Sequence, residues 1–267
     1  MTPEPRRPVI TLTTDFGTSD HYAGTLKGVL LSRCPDAVLV DISHEIPPFS
    51  IYAGAYALDQ AARYFPPGTV HLVVVDPGVG TSRRAIAAEA SGQTFVAPDN
   101  GVLSLILHRS PAARVHEITN PKLWFDRPSN TFHGRDIFAP VAAALAARTS
   151  TLDDVGPACD SFERLPDLLP RSVSDGVLAG RVFSVDRFGN VITNFATAQM
   201  LPGEFTIEAG SQNVCEIRRT FGEAVDDVCF AYCGSSGYVE LGMNQKSAAE
   251  YLGIAPGDPV NLRRLPS

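Results

Sequence analysis

The chain has 267 residues, 44% of them hydrophobic, and a formal net charge of −7. That is enough apolar material for a sizeable core, in one large domain or two smaller ones. No cluster of Lys and Arg exceeds a pair, which argues against nucleic acid or an anionic membrane surface as a partner.

Residues 8–14, PVITLTT, read as a first strand that runs into DFGTSD, so Asp15 and Asp20 fall on the loop after it. An amphipathic helix is expected over 22–32. AVLVD at 37–41 is a short second strand, followed by the loop ISHEIPPFS. Ser50 is a candidate cap for a helix over 51–64, which Pro66, Pro67 and Gly68 stop. Then comes TVHLVVVDPGVGTSRR at 69–84. Its apolar run, 70–75, has the pattern of a central strand buried on both faces of a parallel α/β sheet. Asp76 then stands at the strand's carboxyl end, the edge beyond which open α/β sheets place ligands. Pro77, Gly78 and Gly80 make a tight loop. Arg83 and Arg84 return within reach of the Asp76 carboxylate if that loop folds back.

Residues 85–90 and 93–97 suit a hairpin around Ser91 and Gly92, and PDNG at 98–101 leads into a short helix over 102–108. After a loop at 119–132, His133 and Gly134 precede a helix from about 136 to 147. Strands alternating with helices predict a layered α/β domain with a mostly parallel sheet. Scattered Pro, Asp, Ser and Arg at 150–175 suit a linker. From Gly176 onward short β-rich runs alternate with turns, the pattern of a small antiparallel barrel or sandwich, with one helix at 245–252. The expected division is an α/β domain over 1–160, then the linker and β-barrel domain over 161–267.

The five cysteines (Cys34, Cys159, Cys215, Cys229, Cys233) are odd in number and form no CxxC pair. They read as reduced, small apolar residues of a cytosolic protein; a metal site from Cys215, Cys229 and Cys233 is the lesser reading. The segment at 8–12 is too short and too soon interrupted for a signal peptide. The longest mid-chain apolar run, 137–147, contains Pro140 and is far below membrane-spanning length. A soluble, cytoplasmic protein is expected.

Three polar clusters fall where strand ends should be: Asp15 with Asp20, Asp76 with Arg83 and Arg84, and Asn130 with His133, Arg135 and Asp136. In one sheet they converge on one edge. Each has a plainer reading. Asp76 and Arg83 suit a loop-stabilising ion pair, Asp20 or Ser19 a helix cap, and His133 a satisfied loop histidine beside an Arg135–Asp136 pair. Asp186, Phe188 and Asn190 in SVDRFGNVITN suit an ordinary turn, and GSSG at 234–237 a hairpin loop or a nest of donors for a carboxylate. No P-loop, GxGxxG, GxSxG or HExxH is present. No metal is called for, although Asp15, Asp20, Asp76 and His133 form a minor carboxylate–histidine alternative.

Taken together, DFGTSDHYAG, HEIPPFSI, VDPGVGTSRR, PDNGVLS, TFHGRDIFAPVAA, VDRFGNVITN and GYVELGMNQKSAAEYLG resemble the S-adenosylmethionine hydroxide adenosyltransferase family, the SAM hydrolases, relatives of the fluorinase and chlorinase enzymes. The motifs follow in order across nearly the whole chain. The resemblance implies an N-terminal α/β domain and a C-terminal β-barrel. It also implies a homotrimer whose ligand lies between the N-domain of one subunit and the C-domain of the next. The implied reaction is S-adenosylmethionine plus water giving adenosine and L-methionine, with neither metal nor organic cofactor. By the same resemblance Asp76, Arg83 and His133 are the catalytic triad. Asp15 holds the ribose hydroxyls, Phe49 lies beside the ligand, and Phe132 and Gly134 flank His133 at the pocket wall. Asp186 meets the methionine ammonium, Asn190 reads adenine, Ser235 lies near the methionine carboxylate, and Phe188 is a further substrate-binding residue. Where relatives carry Arg next to that serine this chain has Ser236, which shifts weight to backbone donors.

The implied chemistry is physically coherent. A sulfonium departs as a neutral thioether and needs no general acid. The difficulty is to align one water for backside attack on the ribose 5′ carbon, so positioning dominates. Asp76 and His133 are expected to accept hydrogen bonds from that water, with Arg83 holding Asp76 in place. A carboxylate beside an anionic nucleophile is repulsive, which argues against halide transfer. Halide adenosyl transfer and a non-catalytic sensor of S-adenosylmethionine or adenosine are the two rival functions.

Overall fold

The apolar run that begins at Val70 lies in the middle of a six-stranded sheet in the computed structural model, which describes residues 7–200 and 205–264. The chain divides into two units, Met1–Leu165 and Pro166–Ser267. The first begins with β1 (Val9–Thr14), α1 (Tyr22–Arg33), β2 (Val38–Ser43), α2 (Ile51–Ala62) and β3 (Val70–Val74). The hairpin β4 (Ala85–Ala90) and β5 (Gln93–Pro98) follows, then α3 (Ser104–Arg109), β6 (Arg114–Glu117), α4 (Ala139–Ala146) and α5 (Leu152–Val155). Strand order is β2-β1-β3-β5-β4-β6. The first four of these are parallel neighbours, and β4 is antiparallel to both of its own.

All five residues of β3 are buried because both faces of the sheet are covered. Leu72 and Val74 join Leu26, Leu30, Phe138 and Val141 in one cluster. Val73, on the opposite face, packs with Leu58, Phe95, Val102 and Ile106 in another. Each such side chain taken fully out of water contributes roughly 1.5–3 kcal/mol. Ser50 caps α2 as expected, accepting from the Ala53 amide at 3.4 Å. The expected cap on α1 is not made: its N-cap position is His21, without a side-chain bond, and Asp20 is exposed.

The helix after His133 starts earlier than its sequence pattern suggests. Residues Gly134–Phe138 form a π-helical turn that feeds α4. Pro140 has no N–H to return to the Asp136 carbonyl, so the regular ladder is interrupted there. The Phe125 amide donates to that carbonyl instead, at 3.0 Å. The strand β6, four residues long, is too short to show a period in the sequence. The stretch after residue 150 is not a free linker either. Thr151 and Asp154 form a capping box on α5, Leu152 and Val155 are buried, and the Glu163 amide donates to Asp99 at 2.8 Å.

The second unit is one nine-stranded sheet made of β7 (Arg171–Ser174), β8 (Val177–Val185), β9 (Val191–Ala196), β10 (Phe205–Ala209), β11 (Gln212–Val214), β12 (Glu216–Ile217), β13 (Phe230–Cys233), β14 (Tyr238–Gly242) and β15 (Pro259–Arg264). All its pairings are antiparallel except β12 with β13. The sheet curls into a nearly closed, barrel-like form. Val182, Phe195, Ile207, Leu241 and Leu262 fill it, together with Leu252 of α6 (Ala248–Leu252), a helix capped by Ser247. Cys34 and Cys229 are buried as small apolar residues should be, whereas Cys215 and Cys233 are exposed. No helix among the described residues is long and apolar enough to cross a membrane.

Candidate active site

The end of β3 turns its polar residues back on themselves. Asp76 accepts from Arg83 Nε at 2.9 Å on each carboxylate oxygen, and Arg83 Nη2 also donates to Asp76 Oδ2. The pair is shielded, with side-chain exposures of 5% for Asp76 and 10% for Arg83. The same Nη2 reaches His133 Nδ1 at 2.8 Å. Arginine carries donors only, so Nδ1 accepts and the proton of the neutral ring sits on Nε2. Burial, and then the Arg83 charge, push His133 below its ordinary value, against the pull of Asp76 and Asp136. The ring is therefore neutral near pH 7, and its outward nitrogen is a donor.

The backbone makes this return possible. Gly80 has φ +78°, and a Cβ there would lie 2.5 Å from the Asn130 carbonyl oxygen. Only glycine fits such close packing in that conformation. The PDNG motif holds both ends of the loop. Asn100 Nδ2 donates to the Val75 carbonyl at 2.9 Å, and Arg84 Nε donates to Asp99 Oδ2 at 2.9 Å. The sequence does not show this support, because turn residues carry no sign of what they brace. Arg84 therefore serves the loop while Arg83 serves Asp76.

Asp76, Asp15, Phe49, Phe132, His133 and Gly134 share one cleft of about 610 Å³. Asp15 sits just past β1 and accepts from the Phe49 amide at 2.9 Å. Burial pushes its carboxyl above the ordinary carboxylate range; the Asp76 charge adds to this and the Phe49 hydrogen bond opposes it. Phe49 holds φ +67° and is 71% exposed. Phe16 and Tyr22, not singled out in the sequence, stack edgewise on Phe132 at 5.8 and 5.2 Å and extend the aromatic wall. Asp20 lies outside the cleft. Among the described residues no group of three or more His, Cys, Asp or Glu side chains is placed to hold a metal ion. A second cleft, of about 680 Å³, opens at the other end of the sheet, where Arg109 is paired with Asp59 and Arg114 with Glu89 and Asp153.

In the second unit Asp186 and Asn190 do form a turn. Asp186 Oδ1 accepts from the Phe188 and Asn190 amides, and Oδ2 from Asn190 Nδ2, each at 2.9 Å. Asn190 is buried, while Phe188 at the tip is 79% exposed. Ser235 is exposed on the turn at 234–237. Beneath that turn lies Glu240, buried, accepting from Tyr232 Oη at 2.6 Å and from Ser236 Oγ at 3.0 Å. The Ser236 hydroxyl is thus engaged inside the unit.

The chain matches the family model described as the SAM hydroxide adenosyltransferase N-terminal domain over residues 10–156, and that of the C-terminal domain over 180–261. Proteins named (R)-S-adenosyl-L-methionine hydrolase are 34–41% identical to it. The one from Thermus thermophilus is 41% identical, with 96% of this chain and 99% of that protein covered. A fluorinase from Nocardia brasiliensis is more distant, 29% identical with 97% of each chain covered. The crystal structure of an uncharacterized conserved protein from Thermotoga maritima superposes with a TM-score of 0.83 at 37% identity, covering 96% of this chain and 100% of that one. The chain belongs to the SAM hydroxide adenosyltransferase family.

Proposed function

We propose that this protein hydrolyses S-adenosyl-L-methionine to adenosine and L-methionine. One observation carries the reading at the level of chemistry: the Asp76–Arg83–His133 cluster faces a cleft that Asp15 also lines. A water oxygen attacks the ribose 5′ carbon, the bond from that carbon to sulfur breaks, and methionine leaves as a neutral thioether. One proton of the water passes to Asp76 and then to solvent. Because Arg83 occupies His133 Nδ1, His133 orients the water through Nε2–H, and Asp76 is the general base. General-base help of this kind contributes typically ~10²–10⁴-fold. Arg83 keeps the Asp76 carboxylate in position, and no step calls for a metal or an organic cofactor.

In this reading Asp15 accepts from the ribose hydroxyls, and Phe49, Phe132 and Gly134 shape the wall. Asp186 and Phe188 meet the methionine ammonium end, Asn190 the adenine and the Ser235 turn the methionine carboxylate. The working assembly is a homotrimer in which the second unit of a neighbouring subunit completes the site. The high exposure of Phe49 and Phe188 supports this, since both are large apolar side chains left open to solvent. The odd number of cysteines and the absence of a CxxC pair fit a cytoplasmic location.

The test is incubation of purified protein with S-adenosylmethionine, with and without chloride, and chromatographic separation of products. The relatives' names specify the R form, so the two sulfonium epimers are assayed separately. Adenosine and methionine in both buffers support the hydrolase. A 5′-halo-adenosine would overturn it, and bound adenosine without turnover would favour a sensor.

A further inference from the structure

The loop that leads to Phe49 carries a buried histidine that the reaction does not use. His44 is 4% exposed. Its Nδ1 meets Thr14 Oγ1 at 2.8 Å and its Nε2 meets Asp41 Oδ1 at 3.1 Å. Lys27 Nζ donates to the other Asp41 oxygen at 2.6 Å. The His44 carbonyl accepts from the Gly17 amide at 2.7 Å.

With a neutral ring, the hydrogen bonds of this network run in one direction. Thr14 Oγ1 already accepts from the Phe16 amide at 3.3 Å. The Asp41 carboxylate, also held by Lys27, only accepts, so the ring proton on Nε2 goes to Asp41; in the neutral ring Nδ1 is then the acceptor and takes the Thr14 hydroxyl hydrogen. Both donors of the network, the Thr14 hydroxyl and His44 Nε2–H, then have an acceptor. The order Thr–His–Asp is that of a nucleophilic triad, but Thr14 has 0% exposure and no path to a substrate. Catalysis at Thr14 is excluded, and the network has another use. It grips the residues on either side of Asp15: Thr14 through its hydroxyl, and Gly17 through its amide. Five residues after His44, the same loop delivers the Phe49 amide to the Asp15 carboxylate.

We propose that His44 is a positioning residue for the ribose end of the cleft, locking the loop after β1 to the loop after β2 so that the Asp15 carboxylate and the Phe49 amide keep one geometry. This rests on the reading of Asp15 as the acceptor of ribose hydroxyls. A carboxylate held rigidly discriminates between a ligand that offers two hydroxyls and one that offers a single one; a loose carboxylate does not.

The experiment is calorimetric titration of adenosine and 2′-deoxyadenosine into the wild type, His44→Phe, His44→Gln, Asp15→Asn and the double variant H44F/D15N, with thermal unfolding recorded for each. Phenylalanine keeps a flat ring, somewhat larger than imidazole, and removes both hydrogen bonds; glutamine keeps an acceptor for Thr14. The wild type should prefer adenosine by about tenfold or more, the scale of one hydrogen bond to a charged group. H44F should bring the ratio close to one while deoxyadenosine binding changes little, H44Q should restore part of it, and D15N should add little in the H44F background. Loss of affinity for both nucleosides by the same factor, or a preference retained in folded H44F and H44Q, would overturn the proposal. A wild type that binds both nucleosides equally removes the Asp15 reading itself, and one that binds neither removes the hydrolase reading as well.

Discussion

Arg83 Nη2 donates to His133 Nδ1 at 2.8 Å, and this one bond decides which nitrogen of the ring faces the cleft as a donor. Viewed as a cluster of charged residues, Asp76 and His133 are interchangeable bases. With the proton placed, they are not: the histidine offers N–H and the aspartate offers lone pairs.

The asymmetry predicts unequal losses. Asp76→Asn should lower kcat by ~10²–10⁴-fold, the usual worth of a general base, while adenosine binding stays measurable. His133→Gln, which keeps an N–H donor, should lose distinctly less. Single-turnover assays of both variants check this, and equal losses would return the base to His133.

On the reading that Asp15 accepts from the ribose hydroxyls, it should set the acid limit of binding. Its carboxyl is raised by burial and by Asp76, so on acidification it takes up a proton above the ordinary carboxylate range. Protonation removes an acceptor for hydroxyls, so KM should rise as pH falls through the raised value and kcat should follow less. Asp15→Asn should have a high KM with this dependence flattened. An unaltered KM–pH profile in that variant assigns the titration to another group.

His71 makes stability depend on pH. It is wholly buried in β3, stacked on Phe95 with ring centroids 4.8 Å apart, and burial pushes it down to about 4. The unfolded chain binds this proton near the ordinary pKa of about 6.5. Its contribution is therefore intact above that value and is lost as pH falls toward 4. The loss is about 2 kcal/mol by pH 5, at 1.36 kcal/mol per unit. Urea unfolding at pH 7.5 and pH 5 measures it, and His71→Leu should show a smaller difference between the two.

Gly234 is tied to Glu240. A Cβ at Gly234 would lie 1.9 Å from Glu240 Oε1. Gly234→Ala should destabilise by about 1–3 kcal/mol, as overpacking typically does. Glu240→Ser should recover part of this by opening space. A double-mutant cycle read by thermal unfolding tests the coupling, and additivity within ~0.5 kcal/mol would break it.

Much of this was legible in advance because it depends on periodicity. The near-continuous apolar run at 70–74, interrupted only by His71, has the pattern of a strand covered on both faces, and ligands of such a sheet lie beyond its carboxyl end, where Asp76 stands. Asp76, Arg83 and His133 were named on motif and resemblance, and the sheet brings them together. Other elements left no such mark. The π-helical turn at 134–138 follows from where the Asp136 carbonyl finds its donor, Phe125, which is distant in sequence. The segment at 156–165 has no period, since it is held by hydrogen bonds such as Glu163 to Asp99 rather than by an apolar face.

By itself, then, the sequence determined the two-part architecture, the central strand and the identity of the residues at its end. These follow from local pattern, where each residue reports its own burial. Tertiary structure alone decided which nitrogen of His133 is protonated, that Ser236 is spent on Glu240, and that His44 joins two loops. Those are properties of pairs far apart in the chain, and a hydrogen bond has a direction only once both partners are in place.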